Sequence, residues 1–507
     1  MKRRHLHFVI AFLSLFLAIA VLLLIVTFRN GSSSNSFGIE FGDDADTTRC
    51  NINAQIARDL SRGDLLFIAD QQEFPELSRL TIANFLDYWS EARTDRFDTV
   101  LRGLEKITLI LNIDSLSLNR ANNYMESWDY RDIAIASNMC DSSFTTADLE
   151  FYWRLGNVRH RLKAAKVRDA WWNNVEFEIV PMPSHCGGDF TADSTNAVRL
   201  AENIRDYRSL HPDESIIAFF DAPLLYRRLP AYYGKPLMAT SILRELESDS
   251  GQNAKYITVA QADRNHWPFS FMRGIPECDF VLLSSSLENT AIYSELPPIF
   301  QFDLLVLRSC PPDLHLPISA IPSMNVARAV VDWMPTLTDT TQTETWSAML
   351  TYLDAVSGAT PLRVNSHDRT AMREACIQWQ KWSDTARVDV VEEISSLRIW
   401  TRLIDKIAGA SNLVARHYDE TLMSILPGAP ALDVRFETPT KAERAAQLRG
   451  YLSRNRDKIV VRMLINVLWV GDPEEKRSAL SALSRDTGMQ FHTAAGVVAV
   501  VSRWQAG

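Results

Sequence analysis

The stretch ESIIAFFDAPLLYRRL, residues 214–229, decides the fold. Its apolar core is too short and too continuous for an amphipathic helix, and it ends on a single carboxylate, Asp221, before Pro223 breaks the pattern. A strand that is apolar on both sides belongs to a parallel sheet covered by helices on both faces. An acid at its tip is either a ligand-binding group or a carboxylate of the following turn.

The same pattern recurs along the chain. DLLFIAD (64–70) and KITLILNID (106–114) are apolar runs that also end on an acid, and an amphipathic helical stretch, LTIANFLDYWSEA, lies between them. DIAIASN (132–138) reads as a further strand, followed by the long helical pattern LEFYWRLGNVRHRLKAAKVRDAWW and the strand VEFEIVPMP (175–183). A polar loop, SHCGGDFTADST, leads to the helix NAVRLAENIRDYRSL and then to the opening strand. Beyond it come the helix ATSILRELES, the strand KYITVAQAD (255–263) and DFVLLSSSLENTAIYSEL (279–296), a strand that turns into a helix. Alternation of this kind predicts an α/β fold with a mostly parallel sheet flanked by helices, and ligands bind such sheets at the carboxyl ends of the strands. After about residue 380 the periodicity is helical, and IVVRMLINVLWV (459–470) is too short to span a membrane and reads as a buried strand or helix.

Composition agrees with a globular protein: 46% of the 507 residues are hydrophobic and 23% charged, enough for two or three cores. The net charge is −9, and about −12 once Lys2, Arg3 and Arg4 are set aside, so the body has no broad field to attract nucleic acid. Residues 8–28, FVIAFLSLFLAIAVLLLIVTF, carry no charge and are long enough as a helix to cross roughly 30 Å of hydrocarbon. The basic cluster before them predicts a cytosolic tail (1–7), a signal-anchor and type II topology. A cleaved signal peptide ending near Ala18-Ile19-Ala20 is the competing reading, but cleavage there would leave VLLLIVTF at the new terminus. Residues 29–45 read as a stem. The expected divisions beyond it are an N-terminal α/β region (46–127), a second α/β domain (128–380) and a mainly helical C-terminal region (381–507). The six cysteines form no CxxC pair, which argues against a zinc knuckle; disulfides of an oxidising lumen and isolated buried thiols are both open.

No GxGxxG after a strand, GxxxxGK[ST], HExxH or GxSxG occurs, so the common dinucleotide, phosphate-loop, zinc-protease and hydrolase signatures are absent. A site would therefore be assembled from strand ends. The stretch from DIAIASN to Gln342 resembles the glycosyltransferase module of procollagen lysyl hydroxylases and the related procollagen galactosyltransferases. AVRLAENIRDYRSLHPDESIIAFFDAPLL is similar to that family's helix leading into a strand with an F-T-D-x-Y-D ending; YITVAQADRNHWPF resembles its Ser-Ala-Glu and Trp-Pro segment; DFVLLSSS resembles F-L-N-S-G-G; and Asp339-Thr340-Thr341-Gln342 resembles its Asp-Asp-Gln segment. NSHDRTAMREACIQ is similar to a stretch whose histidine completes the metal site.

The resemblance, over about residues 130–375, implies a GT-A fold (a mixed, nucleotide-sugar-binding sheet), a UDP-sugar donor, Mn²⁺ and transfer of a hexose to a hydroxyl of a protein or glycan. It implies Asp221 and His367 as metal ligands, Asp221, Gln342, Gly187 and Gly188 at the nucleotide sugar, and Asp263 and Asp339 as the acids that accept a proton or orient the sugar. It also implies a type II protein facing the Golgi or ER lumen, or the cell surface. In the family two acids three residues apart hold the cation; here Asp221 keeps the first position and Leu224 takes the second, while Ser286 and Leu287 replace the two glycines. A catalytically silent, membrane-anchored binding or surface protein of the same fold is the alternative.

Overall fold

The computed structural model describes, with short internal gaps, residues 39–40, 52–70, 75–92, 101–135, 144–183, 194–227, 231–236, 240–248, 255–263, 280–283, 302–308, 315–337, 343–357, 368–409, 415–422 and 440–488. The span expected at residues 8–28 lies outside them, and among the described residues no helix is long and apolar enough to cross a membrane. The strands are β1 (Ile39–Glu40), β2 (Leu65–Asp70), β3 (Lys106–Leu111), β4 (Glu176–Pro181), β5 (Ser215–Asp221), β6 (Ala231–Tyr232), β7 (Lys235–Pro236), β8 (Tyr256–Asp263), β9 (Phe280–Leu283) and β10 (Leu304–Arg308). The chain forms two compact units that interleave in sequence: Met1–Gln71 with Cys186–Ser309, and Gln72–His185 with Cys310–Gly507.

The first unit is built on strands in the order β1-β9-β10-β8-β2-β5. β5, β2, β8 and β10 run parallel, and β9 and β1 close the edge antiparallel. Continuous burial of Leu65–Ala69 and Ile216–Phe220 is what central parallel strands require, because helices cover both faces. The helix Ile52–Ser61 packs on β2 and β5 through Ile52, Ile56 and Leu60, and the helix Ser194–Leu210 packs against Ile242–Ser248. Part of the stretch read as a stem, Ile39–Glu40, pairs with Leu283 and Leu282.

The second unit carries the parallel pair β3–β4 and most of the helices. Its long helix, Thr146–Arg168, lies so close to Ser115–Ser127 that a Cβ on Gly156 would sit 2.7 Å from the Met125 carbonyl oxygen. The run 459–470 is a helix, part of Arg456–Val470, and all twelve of those residues are buried. An all-round apolar helix of this kind is an interior helix, covered here by Thr146–Arg168, Val390–Ser395 and Pro473–Thr487. One expectation fails locally: the start of DIAIASN is not a strand but a short helix, Tyr130–Ile133. Asp129 caps it by accepting from the Arg131 amide, and Tyr130 and Ile133 are its buried anchors, so local capping outweighs the β-branched residues. Residues 136–138 lie outside the described set.

Charges inside this unit are paired. Arg444 is fully buried and meets Asp419 through two hydrogen bonds, Nε to Oδ1 at 2.7 Å and Nη2 to Oδ2 at 3.2 Å. His315 lies between Glu150, with Nε2 3.2 Å from Oε2, and Thr146, with Nδ1 3.1 Å from Oγ1. The Thr146 hydroxyl gives its own proton to Asn466 Oδ1 at 2.5 Å, so it accepts from Nδ1–H, and the ring is an imidazolium. Burial alone would lower its pKa, but Glu76, Glu150 and Asp148 outweigh burial and push it up to about 9. Arg79, paired with Asp148 at 2.7 Å, and Arg462, donating to the His315 carbonyl at 3.3 Å, complete the surroundings.

Two predictions follow from these pairs. Asp419→Ala leaves the Arg444 guanidinium buried without its partner and should cost about 3–5 kcal/mol in urea unfolding, whereas Asp419→Leu combined with Arg444→Met should recover most of that loss. Because the folded pKa of His315 is raised above its ordinary value of about 6.5, its contribution is complete below that pH and disappears as pH rises through about 9. Stability measured from pH 6 to 9.5 should therefore decline in the native chain, and His315→Gln should flatten that decline.

Candidate active site at the strand ends

Four strand runs end on an acid, and they place those acids differently. Asp114, beyond the end of β3, is an N-cap: its carboxylate accepts from the Ser117 amide at 2.7 Å, and that amide holds its pKa below the ordinary carboxylate value. Asp221 has the same opportunity at the short 3₁₀ turn Ala222–Leu225, and its side chain makes no cap hydrogen bond there. Pro223 in the first turn removes one of the amides such a cap would use.

Asp221 instead has a carboxylate neighbour across the sheet. β2 and β5 are parallel and in register from Leu66↔Ile217 to Asp70↔Asp221, so both strands end on an acid at the same level. Strands are about 4.8 Å apart, and registered residues of a parallel pair project to the same face. Both aspartates are half-buried. On the other side of β2, β8 pairs from Leu65↔Tyr256 to Ile68↔Val259, and the same register continued brings the fully buried Gln261 to the level of Asp70. Asp263 ends β8 two residues later, with Arg308 of β10 as its backbone partner. The rim of the sheet thus runs Asp221, Asp70, Asp263, Arg308 across four parallel strands.

Topology explains why a ligand would use this rim. Within this unit the chain leaves β2 for the second unit, returns to build β5 on one side of β2 and then builds β8 on the other. Strand order therefore reverses about β2, and crevices for ligands form outside the carboxyl ends of strands at such a reversal.

The chain leaving Asp221 is anchored. Leu224 and Leu225 are buried against β2 and β5, so Leu224 is a core residue and not a vacant ligand position. Tyr226 packs edge-on to Phe302 at 6.0 Å, and its carbonyl accepts from the Ser241 hydroxyl at 2.6 Å. Arg227 reaches the starts of β8 and β10: it donates to Asp303 at 2.9 and 3.0 Å, to the Tyr256 carbonyl at 3.2 Å and to Glu247 at 3.0 Å. Burial works against this guanidinium's charge, but Asp303 and Glu247 more than compensate and raise its pKa. Asp303 is itself oriented by the Thr258 amide and hydroxyl, each at 2.8 Å.

Paired hard-oxygen carboxylates are the ligand type that suits Mg²⁺ or Mn²⁺. Among the described residues there is no group of three or more His, Cys, Asp or Glu placed to hold a metal ion. Of the residues expected at the site, Asp221 stands at the rim and Asp263 is brought to it by its strand; Gly187, Gly188, Asp339, Gln342 and His367 lie outside the described residues. Asp70 and Gln261 were assigned no role from sequence. Their signals are an acid closing LLFIA, and a glutamine inside an otherwise apolar strand. Trp172 is buried, as a core residue should be, and Cys376 is a buried free thiol.

Arg227→Met should lower stability by about 1.5–3 kcal/mol, since hydrogen bonds to the Asp303 and Glu247 carboxylates are lost together. Arg227→Lys should not restore it, because an ammonium cannot span both oxygens of Asp303 and the Tyr256 carbonyl; thermal unfolding of the three proteins checks this. Comparison with protein-family models, with curated proteins and with solved structures finds no match to this chain.

Proposed function

We propose that the chain is a type II membrane-anchored glycosyltransferase of GT-A type, transferring a hexose from a UDP-sugar to a hydroxyl of a protein or glycan. The observation that carries this reading is the registered pair Asp70 and Asp221 at the strand-order reversal. It supports the resemblance noted in the sequence by supplying, from a neighbouring strand, the second carboxylate that Leu224 does not supply.

In this reading Asp70 and Asp221 hold a divalent cation, Mn²⁺ or Mg²⁺, and the cation when bound neutralises charge on the departing diphosphate. The two carboxylates fix its position because their strands are hydrogen-bonded in register and the chain after Asp221 is held by Arg227. In the same reading Asp263, at the end of β8, accepts the proton of the acceptor hydroxyl or orients the sugar. A silent binding or surface protein of the same fold is the second reading, favoured by the burial of Leu224 at the position where the family carries an acid.

Thermal unfolding of the full-length protein with UDP, with Mn²⁺ and with both separates the two. A metal-bridged nucleotide site stabilises only when both are present, by about 2.7 kcal/mol at a hundredfold excess over Kd. Asp70→Asn and Asp221→Asn should each abolish that increase. Absence of any increase in the native protein overturns the transferase reading and leaves the silent one.

A further inference from the structure

From Ile257 to Ala262, β8 is apolar except for two fully buried polar residues, Thr258 and Gln261. Thr258 belongs to the beginning of the strand. Its amide and its hydroxyl each donate to the Asp303 carboxylate at 2.8 Å, and its hydroxyl accepts from the Asp303 amide at 3.0 Å. Gln261 stands three residues later, at the rim. An apolar side chain would fill that position without the requirement a buried amide imposes, a hydrogen-bond partner inside the protein.

Strand order supplies its neighbours. The register from Leu65↔Tyr256 to Ile68↔Val259, continued by two residues, sets Gln261 beside Asp70, and Asp70 is paired in turn with Asp221. Paired residues of parallel strands project to one face, so Gln261, Asp70 and Asp221 form a row there at a spacing of about 4.8 Å, with Asp70 in the middle. On the other flank of β8 the partner of Gln261 is the buried Val306. The polar neighbour that the sheet gives Gln261 is therefore Asp70. Asp70 as a whole is half-buried, but its Oδ1 is enclosed by protein, as are both polar atoms of the Gln261 side chain.

We propose that Gln261 is a positioning residue of the strand-end site, whose amide N–H donates to the enclosed oxygen of Asp70 when a cation is held by the other. The inference rests on the reading in which Asp70 and Asp221 are the cation's ligands. A neutral amide suits this position better than a third acid. A carboxylate at 261 would add like charge beside Asp70 inside the protein, whereas an N–H donor favours the ionised form that a cation needs. Carboxylates that ligate metals are themselves held by hydrogen bonds from residues behind them, and loss of such a partner lowers metal affinity roughly 10–100-fold. In this arrangement Gln261 does not touch the cation, in keeping with its complete burial.

Titration of the full-length protein with Mn²⁺ at saturating UDP, followed by electron paramagnetic resonance of the free and bound ion, tests this with Gln261→Met, which keeps the length of the side chain and removes the amide. The expected result is a Kd for Mn²⁺ raised about tenfold or more and an altered spectrum of the bound ion at saturation. Without UDP and Mn²⁺ the variant should melt no lower than the native protein, because a buried amide has been removed. Asp419→Ala, a destabilising change in the other unit, is the control and should leave the Kd within twofold. The proposal is overturned if Gln261→Met binds Mn²⁺ within twofold of the native chain with the same spectrum, or if the unliganded variant melts below the native one, which would make Gln261 a packing residue. It is equally overturned if Asp419→Ala weakens binding as much, since lost fold stability would then account for both. A native chain that binds no Mn²⁺ in the presence of UDP overturns the transferase reading and this inference with it. Equal binding by the native chain and Gln261→Met overturns this inference alone.

Discussion

Parallel pairing of β2 with β5 is the constraint on which the strand-end site depends. Once Leu66 is set beside Ile217, every later residue of the two strands is placed, and Asp70 arrives beside Asp221. Both strands are apolar on both faces, so the burial of Leu65–Ala69 and Ile216–Phe220 fixes the pair in the interior, and the backbone ladder between them sets the register. The acids do not choose each other: two carboxylates side by side repel, and their position is set by the hydrophobic pairing behind them. That separation of roles, apolar residues for placement and polar residues for chemistry, is how a strand end supports a binding site at a cost the rest of the sheet offsets.

The second unit solves a different problem. Its interior helix, Arg456–Val470, is buried over twelve successive residues, so polar groups caught between it and its neighbours must find partners inside the protein. Asn466 accepts from the Leu316 amide at 3.1 Å as well as from Thr146, and Glu475 accepts from the Ser323 hydroxyl at 2.8 Å and the Met324 amide at 2.6 Å. Burial raises the Glu475 carboxyl against the pull of those donors. Such contacts join segments 150 residues and more apart in sequence, which makes them determinants of which helix meets which.

Much of the sheet was legible in the residues. LLFIAD, KITLIL, EFEIVP, SIIAFFD and YITVAQAD all became strands, since continuous apolar runs of that length have few other uses in a chain rich in helices. DIAIASN was not legible in this way: an Asp-Tyr-Arg-Asp sequence just ahead of it provides a cap, and a single helical turn needs nothing more. The acid-terminated runs also look alike in sequence. Only the structure separates Asp114, which caps the helix after it through the Ser117 amide, from Asp221, which makes no cap hydrogen bond to the turn Ala222–Leu225.

The sequence by itself determined the α/β class, the strand and helix segments, and the delivery of acids to the carboxyl ends of apolar strands, because each of these depends on periodicity and composition within a few residues. Which acids meet is a matter of strand order. Asp70 and Asp221 are separated by 150 positions and adjacent only because β5 pairs with β2, and no local pattern encodes that neighbour. For the same reason the ion pair of Arg131 with Asp332, 201 residues apart, came from the packing of helices.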